Sequence, residues 1–153
     1  MTLVRVAIAL GSNLGDRDRL LKSAVAAVGE AITGLRVSSW HQTAPVGVAG
    51  PQPDFLNGAA VGTTVLSARE LLDRLLAIEQ TFGRERPFPG AARTLDLDLI
   101  LYGDAVLDEP GLIVPHPRFR ERRFVLAPLA EIAPDWVDPV TGKTVGELLA
   151  GLE

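Results

Sequence analysis

The segment "RTLDLDLILYG" at residues 93–103 constrains this chain most, because leucines and acids alternate along it. Successive side chains of a β-strand point to opposite faces. The pattern therefore predicts a strand with one apolar face, made by the leucines at its odd positions: Leu95, Leu97, Leu99 and Leu101. The opposite face carries Asp96 and Asp98, followed by Ile100 and Tyr102. The leucine face belongs to a core, whereas the two aspartates need a separate explanation.

Two interpretations of the aspartates are open. Carboxylates at neighbouring same-face positions of a strand lie roughly 6–7 Å apart. They repel by about 2–3 kcal/mol at an effective dielectric near 20, and by less than about 1 kcal/mol in water. Either the acidic face meets solvent, or it lies in a cleft where cations offset the repulsion. Hard divalent ions with oxygen ligands suit such a cleft, and two Mg²⁺ ions about 4 Å apart could share Asp96 and Asp98.

Arginines beside the acidic strand favour the second interpretation. Arg84 and Arg86 lie in "GRERPFPGAA" (83–92), whose Gly and Pro content predicts a loop, and Arg93 begins the next segment. The planar guanidinium group matches the oxygens of a phosphate. Carboxylates, divalent metal and arginines at the edge of a loop are the usual equipment of phosphoryl transfer, which depends on positioning and charge neutralisation.

The order of predicted elements indicates an α+β fold with a ferredoxin-like βαββαβ core, in which helices pack on an antiparallel sheet. Hydrophobic alternation predicts strands, in addition to the acidic one, at 3–10, 35–43 and 55–65. Helical spacing predicts helices at 16–32 and from Ser67, with its capping box to Glu70, to about Gly83. Extra helical elements are predicted near 119–131 and 145–151.

Several short motifs carry less information. "TGKT" (141–144) lacks the P-loop glycine, because Val137 stands in its place, and Thr144 with Glu147 is better interpreted as a capping box. "GSNLG" lacks the third glycine of a dinucleotide fingerprint. The basic cluster "RFRERR" (118–123) suits either a solvated helix face or a phosphate contact. His41 is interpreted as structural.

Composition limits the class of protein. The chain has 153 residues, of which 47% are apolar and 22% charged, and its length predicts one domain over residues 1–153. It has no cysteine, which excludes disulfides and thiolate metal sites. No apolar run approaches the roughly 18 residues of a membrane span. The net charge of −4 argues against non-specific nucleic-acid binding. We expect a cytoplasmic monomer that binds neither membranes nor nucleic acid.

Several motifs together resemble one family, the 6-hydroxymethyl-7,8-dihydropterin pyrophosphokinases of folate biosynthesis. The matching segments occur in the family's order and cover nearly the whole chain: "ALGSNLGD", "SSWHQTAPVG", "QPDFLNGA", "IEQTFGRER", "RTLDLDLILYG", "VPHPRFRERRFVLAPLAEIAP" and the "GELL" tail. The segment "RTLDLDLILYG" followed by "VPHP" is a specific signature, whereas the glycine loop alone is not.

The resemblance implies transfer of the β,γ-diphosphate of ATP to the hydroxymethyl oxygen of the pterin, which leaves AMP. ATP is then the co-substrate, and two Mg²⁺ ions are held by residues that match Asp96 and Asp98. Arg84 and Arg93 match arginines that hold the ATP phosphates. Arg86 matches a further loop arginine that acts during closure. These five residues are the catalytic set that the resemblance implies.

The resemblance also implies two sets of binding residues. Further ATP-binding positions are matched by Glu79, His116 and Arg122. The pterin pocket is matched by Gly11, Thr43, Val46, Phe55, Asn57 and Phe124. Three positions depart from the family pattern: a pocket glutamine is Leu76, a pterin-covering tryptophan has only Phe88 as a substitute, and a frequent aromatic is Pro117.

Two other functions are weighed against this one. A ferredoxin-like fold can serve as a non-catalytic ligand-binding module, which would not need the aspartate pair. A metal-dependent nuclease could use the pair, but the acidic pI of about 5.2 counts against it. For the pyrophosphokinase the general base stays open between Asp98 and metal activation of the hydroxyl.

Overall fold

An antiparallel sheet forms the centre of the fold. The computed structural model describes residues 2–12, 17–43, 55–83 and 95–152. The strands of the main sheet are β1 (Val4–Ser12), β2 (Thr33–Val37), β3 (His41–Thr43), β4 (Phe55–Thr64) and β5 (Asp96–Tyr102). Their order is β2-β4-β1-β5, and β3 pairs with β4 beside β2. Within these ranges β1 is paired on both sides, and β5 forms one edge.

The helices and a small hairpin complete the chain. The helices are α1 (Arg17–Val28), α2 (Ala68–Gly83), α3 (Arg123–Ile132) and α4 (Val145–Ala150), with a 3-10 helix at Phe119–Glu121. The hairpin consists of β6 (Leu107–Glu109) and β7 (Leu112–Val114). The predicted ferredoxin-like βαββαβ order is confirmed, with the second strand divided into β2 and β3. No helix in the described ranges has the length and apolar character that crossing a membrane requires.

Both faces of the sheet are covered. Large side chains of β1, including Ile8, pack against α1 and α2 in one hydrophobic core. Small side chains on the other face, including Ala7 and Ala59, pack against α3 and α4 in a second core. Small residues on this second face leave room for the C-terminal helices to approach the sheet. The extra C-terminal helical elements are therefore a layer of the fold.

A β-bulge in β5 corrects one prediction. Ala7 pairs with Leu101 and Ile8 pairs with Leu99, so Ile100 is an additional residue on β5. An extra residue reverses the alternation of faces beyond it. The prediction that Leu101 shares the leucine face is therefore wrong, because it packs with Ile100 in the second core.

The bulge also moves the last residue of β5. Leu95, Leu97 and Leu99 lie in the first core as predicted. Tyr102 packs against that same core, although it was predicted on the aspartate face, and its hydroxyl donates a 2.7 Å hydrogen bond to the carbonyl of Leu66. The aspartate face thus ends at Ile100.

Two predicted boundaries also differ from the structure. α1 ends at Val28, four residues before the predicted end, and Gly29 begins a turn. The predicted strand 35–43 is interrupted at Ser38, whose hydroxyl accepts a 2.9 Å hydrogen bond from the backbone N–H of Ala59. A side chain there replaces a backbone ladder contact, so β2 and β3 are separate. The capping boxes at the starts of α2 and α4 are confirmed.

Candidate active site

The register of three strands brings predicted pterin and metal residues into one row. Gly11 near the end of β1 lies opposite Asn57 on β4 and opposite Asp96 on β5. Directly opposed residues of antiparallel strands point to the same face of a sheet. Asp98 lies opposite Ala9, one position further along that face. The end of β1 therefore joins the two predicted half-sites.

Gly11 provides space that any other residue would fill. A Cβ atom at this position would lie 2.9 Å from Oδ1 of Asn57. Asn57 is buried, with 7% of its surface exposed, and its side-chain N–H donates a 2.7 Å hydrogen bond to the hydroxyl of Thr43 on β3. The amide is thus oriented by a neighbouring strand and lies against the open position at Gly11.

The aspartates lie on the outermost described strand of the main sheet, and both are half-buried. Two contacts cover the outer edge of this strand on either side of Asp98. The backbone N–H of Leu97 donates a 2.7 Å hydrogen bond to Oε2 of Glu79 on α2. The carbonyl of Ile100 accepts a 3.0 Å hydrogen bond from the backbone N–H of His116. The edge is therefore held where the acidic side chains leave it.

His116 connects the acidic strand to the predicted nucleotide residues. Its Nδ1 accepts a 3.2 Å hydrogen bond from the backbone N–H of Arg118, which leaves the proton of the neutral ring on Nε2. Burial lowers the pKa of His116; the nearby carboxylate of Asp98 raises it, and Arg122 and Arg118 lower it further. The net pKa is below the ordinary value, so the ring is neutral near pH 7.

Arg122 and Phe124 lie at the start of α3. The guanidinium of Arg122 lies 5.6 Å from the centre of the Phe124 ring. Phe124 is 38% exposed, whereas Phe119 five residues earlier is fully buried in the second core. Phe55 at the start of β4 is half-buried. Neither predicted pocket phenylalanine is a core residue, so both rings have surface with which to meet a ligand.

Comparison with known proteins decides the family. The sequence profile of 7,8-dihydro-6-hydroxymethylpterin-pyrophosphokinase (HPPK) matches residues 7–134. A protein of Synechocystis sp. named 2-amino-4-hydroxy-6-hydroxymethyldihydropteridine pyrophosphokinase is 49% identical over 144 residues, covering 93% of this chain and 73% of that protein. The protein of the same name from Pseudomonas aeruginosa is 44% identical over 149 residues, covering 95% and 90%.

This chain belongs to the HPPK family. The family that the motifs resemble is thereby confirmed, and with it the predicted function of a pterin pyrophosphokinase.

Solved structures agree on the fold. The chain matches the Plasmodium falciparum HPPK-DHPS wild-type structure with a TM-score of 0.77 at 13% identity. The match covers 98% of this chain and 45% of that one. A second HPPK-DHPS structure, in complex with substrates, has a TM-score of 0.73 at 10% identity and is 43% covered. This chain thus spans less than half of those solved chains, and the likeness concerns the fold alone.

Some predicted site residues lie outside the described residues. These are Val46 of the predicted pterin pocket, the arginines Arg84, Arg86 and Arg93, and Phe88. The other predicted residues come from six separate parts of the fold: Gly11, Thr43, Phe55 with Asn57, Glu79, Asp96 with Asp98, and the segment that carries His116, Arg122 and Phe124. Of the family departures, Leu76 is 46% exposed on α2.

The aspartates suit a Mg²⁺ ion that keeps other ligands, rather than a metal site made wholly of protein side chains. Among the described residues no cluster of three or more His, Asp or Glu side chains is placed to hold a metal. Mg²⁺ in nucleotide enzymes is commonly bound by one or two carboxylates, with water and substrate phosphates completing its octahedron. Asp96 and Asp98 supply such a partial set of hard oxygen donors.

Contacts between segments far apart in the sequence support the site from behind. His41, interpreted as structural, contacts a carboxylate oxygen of Glu131 on α3 through its Nε2. Glu131 also accepts a 2.7 Å hydrogen bond from the hydroxyl of Ser39, and these bonds, from His41 first, lower its pKa. The contacts attach the β3 region, which carries Thr43, to α3. Their partners are about ninety residues apart in sequence, so no local pattern reports them.

Proposed function

We propose that this member of the HPPK family transfers diphosphate from ATP with two Mg²⁺ ions bound at Asp96 and Asp98. The acceptor is the hydroxymethyl oxygen of 6-hydroxymethyl-7,8-dihydropterin, and AMP is released. The observation that best supports the proposal is the row in which Gly11 separates Asn57 from Asp96. A pterin read by Asn57 would have its substituent within reach of phosphates bound at the aspartates.

The chemical step is a substitution at the β-phosphorus. The hydroxymethyl oxygen forms a bond to this phosphorus and loses its proton, and the bond to the α,β-bridging oxygen breaks, leaving that oxygen on AMP. Bound Mg²⁺ supplies Lewis-acid polarisation of the phosphate oxygens and neutralises the charge on AMP. Asp96 and Asp98 would hold the ions on the sheet. The proton would pass to Asp98, or to water if a bound metal ion lowers the pKa of the hydroxyl.

His116 and Arg122 are proposed to bind the nucleotide. Neutral His116 presents its Nε2–H as a donor, because Nδ1 is occupied by the Arg118 N–H. Arg122 offers a planar cation that matches phosphate oxygens. Glu79 is proposed at the nucleotide end too, and it also bonds the strand of the aspartates.

The pterin end combines edge recognition with stacking. The Asn57 amide can donate to and accept from a heteroaromatic edge. Phe55 and Phe124 each retain exposed or half-exposed ring surface on which a flat ligand could stack. Gly11 leaves the volume for the ligand, and Thr43 orients the amide. Val46 is proposed here from the resemblance alone.

The catalytic arginines are proposed from the sequence. Arg84 and Arg93 would bind ATP phosphates, and Arg86 would act when the 83–92 segment closes over them. These three side chains lie outside the described residues. Because Arg84 is proposed to bind the phosphates directly, Arg84→Ala is expected to reduce nucleotide affinity more than Arg86→Ala does. Calorimetry with a non-hydrolysable ATP analogue would measure the difference.

We further propose that residues 1–153 work as one domain, as a cytoplasmic monomer with small-molecule substrates only, without membrane or nucleic-acid partners. The acidic charge and the ordinary soluble composition support this. Light scattering at assay concentration should give the mass of one chain. A dimer mass would refute the proposed monomeric state and would leave the proposed activity unaffected.

The deciding experiment measures AMP. Purified protein is incubated with ATP, the pterin alcohol and Mg²⁺, and AMP and pterin diphosphate are quantified. We expect both products in equal amounts, their loss with excess EDTA, and their return with added Mg²⁺. Product formation unaffected by EDTA would overturn the metal assignment. Pterin binding without AMP would favour the non-catalytic module.

A further inference from the structure

The segment 116–122 carries two proposed nucleotide residues, yet most of it is irregular. Its regular part is the three-residue 3-10 helix at Phe119–Glu121. The His116 N–H bond to Ile100 attaches its start to β5, and the Phe119 ring is buried in the second core. A third attachment involves Arg120, which lies two residues before Arg122. A short irregular segment depends on such tertiary contacts for a defined geometry.

Arg120 is held by an aspartate that sequence analysis did not single out. Its Nε donates to Oδ2 of Asp138 at 2.5 Å, and its Nη2 donates to Oδ1 at 2.9 Å. Both oxygens of one carboxylate thus meet both arms of one guanidinium. This two-bond arrangement fixes direction as well as distance.

Asp138 is itself rigidly placed. It is fully buried, and its carboxylate also accepts hydrogen bonds from the backbone N–H of Val140 at 3.0 Å and from the hydroxyl of Thr141 at 2.7 Å. Its backbone N–H donates to the carbonyl of Lys143, and its own carbonyl accepts from the N–H of Gly142, both at 2.8 Å. The turn 138–143 is therefore built around this carboxylate.

We propose that Asp138 is a positioning residue for ATP, acting through Arg120 to hold segment 116–122 so that His116 and Arg122 meet the nucleotide. The inference rests on the proposed function, because it takes His116 and Arg122 as nucleotide ligands. Asp138 touches neither substrate nor metal in this account.

A contact that only strengthened the C-terminal turn would behave differently. It would change the stability of the protein and leave the affinity for ATP unchanged in folded protein. A positioning contact changes the affinity for ATP selectively. Asn57 and Thr43 lie on β4 and β3, outside the segment, whereas Phe124 follows it directly. The affinity for the pterin should therefore fall less than the affinity for ATP.

The chain provides a matched control on the same segment. Arg118 and Glu121 also form an ion pair, at 3.3 Å, but both side chains are about two-thirds exposed. Glu121→Gln therefore removes the same charge as Asp138→Asn from the same neighbourhood without removing a buried restraint. Arg120→Lys is a second test variant, since lysine keeps the charge and lacks the two-armed geometry.

The experiment compares the full-length wild type with these three variants. Calorimetry gives the Kd of a non-hydrolysable ATP analogue with Mg²⁺, turnover gives KM for ATP and for the pterin, and thermal unfolding sets a temperature at which each variant is folded. In Asp138→Asn we expect the nucleotide Kd and the KM for ATP to rise about tenfold or more, as for a contact that misplaces binding groups. Arg120→Lys should show a smaller rise. In Glu121→Gln the Kd and both KM values should stay within about twofold of the wild type. In Asp138→Asn and Arg120→Lys the KM for the pterin should rise less than the KM for ATP.

The outcomes separate this inference from the function on which it rests. A wild type that neither binds the analogue nor releases AMP overturns both. A wild type that does both, with Asp138→Asn binding the analogue equally well, overturns the inference alone. Should Asp138→Asn fail to fold, Arg120→Lys decides: weaker nucleotide binding supports the inference, and wild-type binding overturns it.

Discussion

The carboxylate of Glu79 accepts a 2.7 Å hydrogen bond from the backbone N–H of Leu97, the residue between Asp96 and Asp98. A helix thereby holds the free edge of the strand at the point where the proposed metal ligands emerge. The contact gives Glu79 a role that the resemblance to the family did not include. It also provides the first prediction.

Glu79→Ala should leave the Leu97 N–H without this acceptor, which costs about 1 kcal/mol or more in the free energy of unfolding. The Mg²⁺ concentration for half-maximal activity should rise, because the aspartate strand is less firmly held. Urea unfolding and Mg²⁺ titration of turnover measure the two effects. Glu79→Gln retains an oxygen acceptor and should preserve stability better than Glu79→Ala. Equal stability and equal Mg²⁺ dependence of Glu79→Ala and Glu79→Gln would show that the hydrogen bond to Leu97 is unimportant.

Removal of either proposed metal ligand should abolish turnover while the fold persists. Asp96→Asn and Asp98→Asn keep the side-chain shape and remove an anionic oxygen donor. We expect AMP formation to fall by several orders of magnitude. Stability should be unchanged or slightly higher, because a repulsive pair has been removed. Near-normal activity in either variant would exclude the two-metal assignment.

Gly11→Ala should act on the pterin end of the site. The added methyl group would lie 2.9 Å from Oδ1 of Asn57, so the amide must turn or shift. We expect the KM for the pterin to rise and the Kd of the ATP analogue to change little. The double variant Gly11→Ala with Asn57→Ala tests the cause. Its loss of pterin affinity should be smaller than the sum of the two single losses, since both act on one amide.

The two phenylalanines near α3 should respond differently to truncation. Phe124→Ala should weaken pterin binding by roughly 1–3 kcal/mol, through lost apolar contact and stacking, with little change in stability. Phe119→Ala should instead destabilise the protein by about 3–5 kcal/mol, because that ring is fully buried. Calorimetry and chemical unfolding distinguish the effects. If Phe124→Ala lowers stability as much as Phe119→Ala does, the ring belongs to the core.

Stability in acid should depend on Asp138. Burial by itself raises the pKa of this carboxyl, but hydrogen bonds from Arg120, Thr141 and Val140 outweigh it and lower the pKa to about 2, from 3.8. Because the folded pKa is the lower one, the stabilisation is complete above pH 3.8 and is lost as the pH falls towards 2. It amounts to about 2 kcal/mol.

The comparison with Asp138→Asn isolates this contribution. Glu70, Glu131 and Glu147 also have lowered pKa values, caused first by hydrogen bonds from Ser67, His41 and Thr144, so the wild type loses stability in acid at these groups too. The difference in unfolding free energy between wild type and variant should narrow as the pH is lowered from 5 to about 2. A constant difference would contradict the lowered pKa of Asp138.

Local sequence patterns predict the structure correctly where residues close together in the chain determine it. The alternation in β1, the capping boxes at Ser67 and Thr144, and the acidic face of Asp96 and Asp98 are set by side chains a few residues apart. The order of the motifs along the chain predicts the family. These features are confirmed by the strands, the caps and the comparisons.

Contacts between distant segments cannot be predicted from local sequence patterns. The bulge at Ile100 depends on how β5 pairs with β1, and nothing in "DLDLILY" distinguishes seven alternating residues from six and an extra one. The Asp138 carboxylate looks like an ordinary turn residue in "VDPVTGK" until Arg120 is folded against it. The Glu79 bond to Leu97 likewise exists only when α2 packs against the sheet edge.

The central position of β1 has a consequence for the order of events during synthesis. β1 ends at Ser12, yet its sheet partners begin at Phe55 and Asp96, so the first strand made must wait for distant ones before it can pair. Pairings between remote segments form slowly, because the entropy of closing the loop is lost before the new contacts stabilise the structure. Gly11, Asn57 and Asp96 therefore meet only after most of the chain has left the ribosome. A nascent chain halted before residue 96 would contain the residues of β1 to β4 and of two helices, but neither of the aspartates proposed to hold the metal ions.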